Sequence, residues 1–571
     1  MNDQNKRLFL TIAMCLAVAY AWSVLFAPKP RTPGAKAPQA TGAPADPATP
    51  AAAAAVAVAG GSGAAPLPDA AVPVPAGADV PRGTVQRPAT TKLTLSSDKL
   101  KLVVNSDGAV LESIELLGPK FRHPSPTKGA ADVQVELISP SARPLPLATG
   151  LTSSAGAVLL GTGAGYEVVE HSERSATLRA RVPGFEITKR LVLDPKSYRV
   201  DVAVEVRADA PFEGHLGITS TGFADPHVSS GMFSARSDPN QTMCKAGGKT
   251  ERLTVGAKTP TWDGPGPAVF AGISEPYFLT ALVPVEATPS TCRIEADPTG
   301  TLKAAIDYVV KVAPGSVESR KLVFYAGPKD TEELALVAAP LQESVDFGFW
   351  AVIANFLLVV MKFFYKAVPP HNWGIAIILL TLAVKAVTFP LQHKSMKSMQ
   401  EMQRIQPQLE EMKKKYAGDT QRQNQEQMKL FQEHGVNPMG GCLPMLIQMP
   451  VWFALYTTLR VSVELYNSMF IPGWLTDLTA RDPYYILPVA MGVTMLLTQI
   501  LTPQPMSNPS QKTIGYAMTG FFSLMMLNLP SGLTLYIFVN NVLSIAQQMY
   551  LRRTLKIGAP AAPALDGAKK A

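Results

Sequence analysis

Apolar and polar positions fall into three regimes along the chain, and each predicts a different kind of element. Residues 8 to 27, LFLTIAMCLAVAYAWSVLFA, form an unbroken apolar run of about 20 residues, enough for a helix to cross about 30 Å of hydrocarbon. Lys6 and Arg7 precede it and Pro28 follows Ala27 directly, so residues 1–27 read as an uncleaved anchor with a cytoplasmic N-terminus rather than as a cleaved signal peptide. From 28 to 90 the composition narrows to Ala, Pro and Gly, which offers too little surface to bury and predicts a disordered tether. Between 91 and 327 the period becomes two, as in LKLVV, VLESIELL after the turn Ser106-Asp107-Gly108, ATLRARV, FEITKRLVL and YRVDVAVEVR. Such alternation with Gly, Pro and Asp punctuation predicts a large all-β sandwich.

After Pro328 the period turns helical. Residues 328–371 predict a connector and an apolar helix, Phe347 to Val368; 372–391 a span built on the run Trp373 to Pro390; and 392–436 a cytoplasmic pair of helices rich in Lys and Arg. In that pair Pro407 is expected to kink the first helix, and Thr420 with Gln423 to form a capping box at the start of the second. Further spans are expected at 443–463, 485–502, 514–528 and 532–550, with a loop at 464–484 between the first two, a cytoplasmic loop at 503–513 and a basic cytoplasmic tail at 551–571. The N-terminus and the basic segment after 391 both favour the cytoplasm, so only one crossing fits between the exported β domain and that segment. Trp373 to Pro390 is the better crossing, which leaves Phe347 to Val368 as an amphipathic helix in the outer interface. The expected fold is therefore an α-helical polytopic membrane protein of six transmembrane helices, five of them gathered after an exported all-β sandwich domain.

Composition agrees with that division. At 571 residues, 47% hydrophobic and 17% charged, the chain is too apolar for an ordinary soluble protein of several domains. Its formal net charge of +8 fits Lys and Arg collected in cytoplasmic segments, and without a nucleic-acid motif no sequence-specific nucleic-acid binding is expected. The four cysteines, Cys15, Cys244, Cys292 and Cys442, have no CxxC spacing and no histidines stand at i, i+4, so neither a metal site nor a cofactor is expected. Cys244 and Cys292 belong to the exported domain and can form a disulfide there. Gly248-Lys249-Thr250 resembles the tail of a P-loop, but Met243 stands where that motif needs glycine. No segment pairs a nucleophile with a base, so no catalytic residue is expected.

The informative chemistry lies inside the spans. Lys385 interrupts the apolar run in line with Thr381, Thr388 and Gln392, at spacings of four, three and four, so these polar atoms share one helical stripe. Gln448, then Thr494, Thr498 and Gln499, then Tyr516, Thr519 and Ser523, then Asn540, Ser544 and Gln547 give the other four spans polar faces. Each alone is an ordinary interhelical hydrogen-bonding residue; together, with one cation, they argue for a shared hydrated cavity. Lys385 stands about 8 Å by helical rise from Pro390, so snorkelling to the cytoplasmic surface is the competing reading. No Asp or Glu lies inside these spans, which disfavours a proton- or cation-coupled transporter and suits an anionic or polar passenger. Arg460 and Glu464, one turn apart at an outer end, can pair locally. Met396, Met399, Met402, Met412 and Met428 stud the cytoplasmic helices, as hairpin core or as a plastic surface for varied hydrophobic segments.

The segment Asn437-Pro438-Met439-Gly440-Gly441-Cys442-Leu443-Pro444-Met445-Leu446-Ile447-Gln448-Met449-Pro450, with Asp482-Pro483-Tyr484-Tyr485 and Pro530-Ser531-Gly532-Leu533 followed by Leu535-Tyr536, closely resembles the YidC/Oxa/Alb family of membrane protein insertases. The resemblance implies a multi-pass protein of the Gram-negative inner membrane with a periplasmic β-supersandwich, both termini cytoplasmic, and a five-helix core. It implies a hydrophilic groove, open to cytoplasm and lipid, that receives the polar flank of an incoming segment. Mapped onto this sequence, the groove residues are Thr381, Lys385, Thr388, Gln448, Thr498, Gln499, Tyr536, Asn540 and Ser544. The implied partners are nascent integral membrane proteins, the Sec translocon, the ribosome and the lipid bilayer, with the five methionines above and Arg552 and Arg553 as cytoplasmic contacts. The family's groove cation is typically arginine, whereas Lys385 stands at that position here, and Ile537 follows Tyr536 where members often have an aromatic. A solute transporter or channel is the main alternative function, and a membrane-tethered periplasmic enzyme a further one.

Overall fold

The computed structural model describes residues 89–123, 132–227, 240–256, 259–285, 289–435, 443–501 and 509–554. The expected anchor 1–27, most of the tether, residues 437–442 of the motif, and the tail beyond 554 lie outside the described residues, as do the side chains of Met396, Arg552 and Arg553.

Two-residue alternation becomes sheet. Twenty strands among the described residues form antiparallel sheets of five, nine and six strands. The strand Arg199–Ala208 is representative: Val200, Val202, Val204 and Val206 turn inward, and the strand pairs with Phe185–Leu193 on one side and Val317–Pro328 on the other in the nine-stranded sheet. The six-stranded sheet centres on two long strands, Phe212–Phe223 and Thr301–Val312. One apolar core fills the space between the sheets and takes in the hairpin Leu100–Asn105 and Val110–Leu116 of the five-stranded sheet. Cys244 of the nine-stranded sheet and Cys292 of the six-stranded one are joined, both buried, with Cα atoms 6.5 Å apart, so the disulfide ties one sheet to the other. Gly247 and Gly248, at φ 57° and 79°, make the hairpin turn before strand Lys249–Thr254, the conformation that the P-loop-like glycine serves here.

A single amine joins all three sheets. Lys189, on strand Phe185–Leu193, is fully buried and donates to the carbonyl of Ala109 at 2.8 Å, to Thr149 Oγ1 at 3.0 Å and to the carbonyl of Leu147. Ala109 immediately precedes strand Val110–Leu116 of the five-stranded sheet, and Leu147 immediately precedes, and Thr149 lies in, strand Ala148–Ser153 of the six-stranded sheet's edge hairpin. Both residues whose carbonyls accept sit at positive φ, 48° at Ala109 and 65° at Leu147, a conformation costly for residues with a Cβ. Three acceptors match the three N–H donors of the amine, yet no carboxylate lies among them.

Helices follow the sheets. Thr331–Val337 (α1) is capped by Asp330, whose carboxylate accepts from the amides of Glu332 and Glu333. Then come Ala351–Ala367 (α2), Trp373–Arg404 (α3), Gln406–Lys415 (α4), Thr420–Glu433 (α5), Leu443–Val461 (α6), Ile486–Leu501 (α7), Pro509–Met525 (α8) and Ser531–Thr554 (α9). By length and composition two helices among the described residues could cross a membrane, Gly348–Ala367 and Trp373–Met399, and Ile486–Leu501 is a shorter apolar helix. Helix α9 is central, packing on α3, α6 and α7; α8 packs on α7, and α2 on α3 and α6.

Two local expectations are corrected. Helix α3 runs unbroken through Pro390 to Arg404, and Pro407 lies in the first turn of α4 instead of kinking a longer helix. Proline is tolerated in a first turn because the amide it lacks would have no intrahelical partner there. The cap of α5 is Asp419, whose side chain accepts from Arg422 N at 2.9 Å, while the Gln423 amide reaches back to the carbonyls of Lys413 and Tyr416 at the end of α4. Gln423 thus closes the turn between the helices instead of a capping box.

Burial pushes the Lys189 amine down to about 7 from its ordinary 10.5. A folded-state value below the unfolded one means that the unfolded chain binds more protons between these limits, so the domain gains stability as pH rises from about 7 towards 10. The Lys189→Met variant is expected to lack about 2 kcal/mol of the gain between pH 7 and pH 9. Thermal midpoints of both full-length proteins in detergent at the two pH values check this; parallel slopes would count against the assignment.

Candidate functional site

The stripe on α3 is real in three dimensions. Lys385 Nζ crosses to α9, donating to Ser544 Oγ at 2.7 Å, and also reaches Gln392 Oε1, two turns along its own helix, at 3.4 Å. The amine therefore stands between two helices. Thr388 and Thr381 donate to carbonyls one turn back, Val384 at 2.9 Å and Ile377 at 2.7 Å, a bond that hydroxyls on helices commonly make. Thr381 is buried inside the bundle, whereas Lys385 and Thr388 are half-buried. Ser544 donates to the carbonyl of Asn540, which places Asn540 one turn from the lysine's partner.

Two further polar pairs cross between helices. Gln448 of α6 donates to the Tyr536 hydroxyl of α9, and the tyrosine is almost wholly buried. Thr519 of α8 donates to Gln499 Oε1 of α7, where Gly515 leaves room: a Cβ there would stand 2.5 Å from Gln499 Nε2. Thr494 and Thr498 return their hydroxyls to their own helix. Of the nine residues expected in one groove, Lys385, Thr388, Ser544 and Asn540 are linked by bonds, Gln448 is bonded to Tyr536, Thr498 and Gln499 are neighbours on α7, and Thr381 lies buried one turn before Lys385. The opposite faces are apolar and exposed, with Val489, Val493 and Ile500 on α7 and Phe521 and Leu524 on α8.

The helix ends nearest the β domain are held by the loop between α6 and α7. Asp482, buried, caps α7: its carboxylate accepts from Leu487 N at 2.7 Å, Tyr484 N at 3.0 Å and Trp474 Nε1 at 2.9 Å. Asn372 caps α3, accepting from Gly374 N at 2.8 Å while donating to the carbonyls of Met469 and Phe470. The first amides of α9 donate to the same loop, Ser531 N to Ala480 O and Gly532 N to Leu478 O. Sequence reasoning quoted Asp482 only as part of a motif and missed Asn372; Asx residues just before helical runs were the available signal. Glu464 pairs with Lys362 of α2 at 2.6 Å, and the Arg460 guanidinium lies over the Tyr456 ring, 5.2 Å from its centroid.

The methionines divide. Met402 is buried with Ile405, Leu409 and Phe431 in a small core beneath α4 and α5, with Met412 packed against it, while Met428 is 45% exposed. Met402 and Met412 thus serve the hairpin core, and Met428 stands at the surface.

Two family models cover nearly all of the described chain: YidC periplasmic domain at residues 92–360 and 60Kd inner membrane protein at 363–558. The membrane protein insertase YidC of Anaeromyxobacter sp. (strain Fw109-5) is 38% identical over 489 residues, 83% of this chain and 86% of the relative. That of Geobacter metallireducens is 32% identical over 562 residues, 96% and 99% of the two chains. The chain belongs to the YidC family of membrane protein insertases. A crystal structure of an active YidC insertase with its first transmembrane domain resolved is 18% identical, with a TM-score of 0.35 over 81% of this chain and 93% of that one. Family membership makes residues 92–360 the periplasmic domain of an inner-membrane insertase.

Replacing Asp482 by Ala removes the cap of α7 and an anchor of Trp474, and is expected to cost about 2 kcal/mol. Asp482→Asn, which keeps one acceptor oxygen, should recover roughly half. Equilibrium unfolding in detergent checks both; an Ala variant as stable as the parent would overturn the capping role.

Proposed function

We propose that this protein inserts nascent integral membrane proteins through a hydrophilic groove formed by α3, α6, α7, α8 and α9, and that it does so by positioning alone. The observation that carries the reading is Lys385 held between two helices, its amine donating across the bundle to Ser544 of α9 and also reaching Gln392 of its own helix. Thr381, Thr388, Gln448, Thr498, Gln499, Tyr536 and Asn540 line the same groove and offer hydrogen bonds to the polar flank of a substrate. Its apolar part meets lipid along the exposed faces of α7 and α8. Each CH₂ transferred to hydrocarbon contributes about 0.8 kcal/mol, so a span of apolar residues outweighs the passage of a short polar tail and no covalent step is needed.

Six transmembrane helices, the N-terminal anchor and five in the core, put both termini in the cytoplasm of a Gram-negative cell. Helix α2 lies along the outer interface: Ala354, Leu357, Leu358 and Met361 pack inward, while Val352, Phe356, Val359 and Phe363 are exposed and apolar, a surface suited to lipid. Met428 of the hairpin α4–α5 and Met399 of the cytoplasmic end of α3, with Arg552 and Arg553, receive the ribosome or the emerging chain, and the protein works alone or beside the Sec translocon.

A photo-crosslinker at Asn540 or Thr388, in liposomes programmed with ribosomes translating a single-span substrate, is expected to capture the nascent chain. No capture and no gain in insertion would sink the proposal. Lys385→Glu is expected to slow insertion of substrates with acidic tails about tenfold more than those with neutral tails, a difference of about 1.4 kcal/mol; equal effects would count against charge attraction.

A further inference from the structure

The turn after α6 enters the β domain. Val463 belongs to the apolar core of the sheets, and Tyr466 is ringed by four aromatic side chains of that domain. Its ring centroid lies 5.0 Å from Tyr277, 5.1 Å from Phe278, 5.7 Å from His123 and 6.5 Å from Phe121. Its hydroxyl is 2.5 Å from His123 Nε2. Polar bonds surround this socket: Asn467 Nδ2 donates to the carbonyls of Lys120 and Arg122 at 3.0 and 2.8 Å, and Lys120 Nζ donates to the carbonyl of Glu464 at 3.0 Å.

One contact reaches the helix itself. The Tyr277 hydroxyl donates to the carbonyl of Leu459 at 3.1 Å. Leu459 lies in the last turn of α6, where carbonyls have no intrahelical amide to accept from. The periplasmic domain therefore supplies a cap for a core helix. The same loop continues to the ends of α3, α7 and α9 through Asn372, Asp482, Leu478 and Ala480.

We infer that the Tyr466 socket is a joint through which the periplasmic domain positions the outer end of α6, and with it the loop that closes the groove on the periplasmic side. Tyr466, Tyr277 and His123 are positioning residues: none touches the proposed groove. The domain thus acts as an external brace on the core. A freely swinging module would have no reason to donate a hydrogen bond to a core helix or to surround a core side chain with four rings. Aromatic pairs of this kind contribute beyond the area they bury.

The test uses the full chain in vesicles of phosphatidylethanolamine and phosphatidylglycerol. Tyr466→Ala empties the socket, Tyr466→Phe keeps the ring and loses the bond to His123, and Tyr277→Phe deletes only the hydroxyl on Leu459. Amide exchange is read over Thr457–Val461 and Met469–Asp482, with strands Arg199–Ala208 and Val317–Pro328 as the internal control. Tyr466→Ala is expected to speed exchange about tenfold in both outer segments and leave the control strands protected. Tyr277→Phe should speed exchange at the end of α6 alone, and Tyr466→Phe should restore most of the protection. Unchanged exchange at the end of α6 in both Tyr466→Ala and Tyr277→Phe would overturn the joint. So would equal loss of protection in the control strands of Tyr466→Ala, which would make Tyr466 an ordinary core residue of the sheets. The exchange measurement stands independently of the proposed function. Insertion of a single-span substrate, measured on the same vesicles, rests on it and should fall about threefold in Tyr466→Ala and recover in Tyr466→Phe. If the parent chain inserts nothing, the groove reading fails and the joint is still decided by exchange.

Discussion

Every helix leaves backbone amides at its start and carbonyls at its end without partners, and a membrane bundle has to satisfy them where the hydrocarbon stops. In this chain the loop between α6 and α7 meets much of that demand at one face. Asp482 caps α7, Asn372 both caps α3 and holds Met469 and Phe470, and the first amides of α9 bond to Leu478 and Ala480. The end of α6 is completed from the β domain by Tyr277. Four helix ends thereby meet around one segment, a connection with a single short 3-10 turn at Val463–Leu465. The polar groups farther down the bundle inherit their positions from it.

Inside the bundle the bonding is of another kind. Thr381, Thr388, Thr494, Thr498, Ser523 and Ser544 each donate to a carbonyl of their own helix. Such hydroxyls satisfy themselves without drawing helices together, and interhelical bonds in membranes are individually modest in any case. Among the described residues, bonds that cross between helices include Lys385 to Ser544, Gln448 to Tyr536, Thr519 to Gln499 and Thr458 to the Ala354 carbonyl, each on a different helix pair. Fastening at one face, with the cross-bonds below it spread over several helix pairs, is compatible with the proposed groove open at the other end.

How much of this was legible depended on the range of the interaction. Two-residue alternation in RVDVAVEVRA predicts a strand buried on one face, and the 4-3-4 spacing around Lys385 predicts a polar stripe, because both properties repeat within a few residues. The partners could not be read the same way. The carboxylate of Glu464 is reached by Lys362, far back in sequence, because α2 folds against α6. Lys189 shares the inward register of Ile187, Leu191 and Leu193, but only the meeting of three sheets supplies the acceptors that receive its amine. Pro407 and Asp419 sit one or two residues from where a cap or a kink was expected, a distance at which local signals compete and packing decides.

The choice of lysine at position 385 follows from the same geometry. An ammonium carries three donors on one atom and a flexible stem, whereas a guanidinium presents a rigid fork suited to gripping a carboxylate with two bonds. Here two of the lysine's donors are directed at Ser544 and Gln392, neutral acceptors on two different turns of the site. The partners fix where the charge stands without neutralising it, and in the proposed function a third donor would serve a substrate carboxylate. Binding through one donor is weaker than a bidentate grip, and for a protein that must release each passenger into lipid, a shallow hold is compatible with turnover. A carboxylate placed in this cluster would have closed the lysine's charge into an ion pair; Ser544 and Gln392 leave it available.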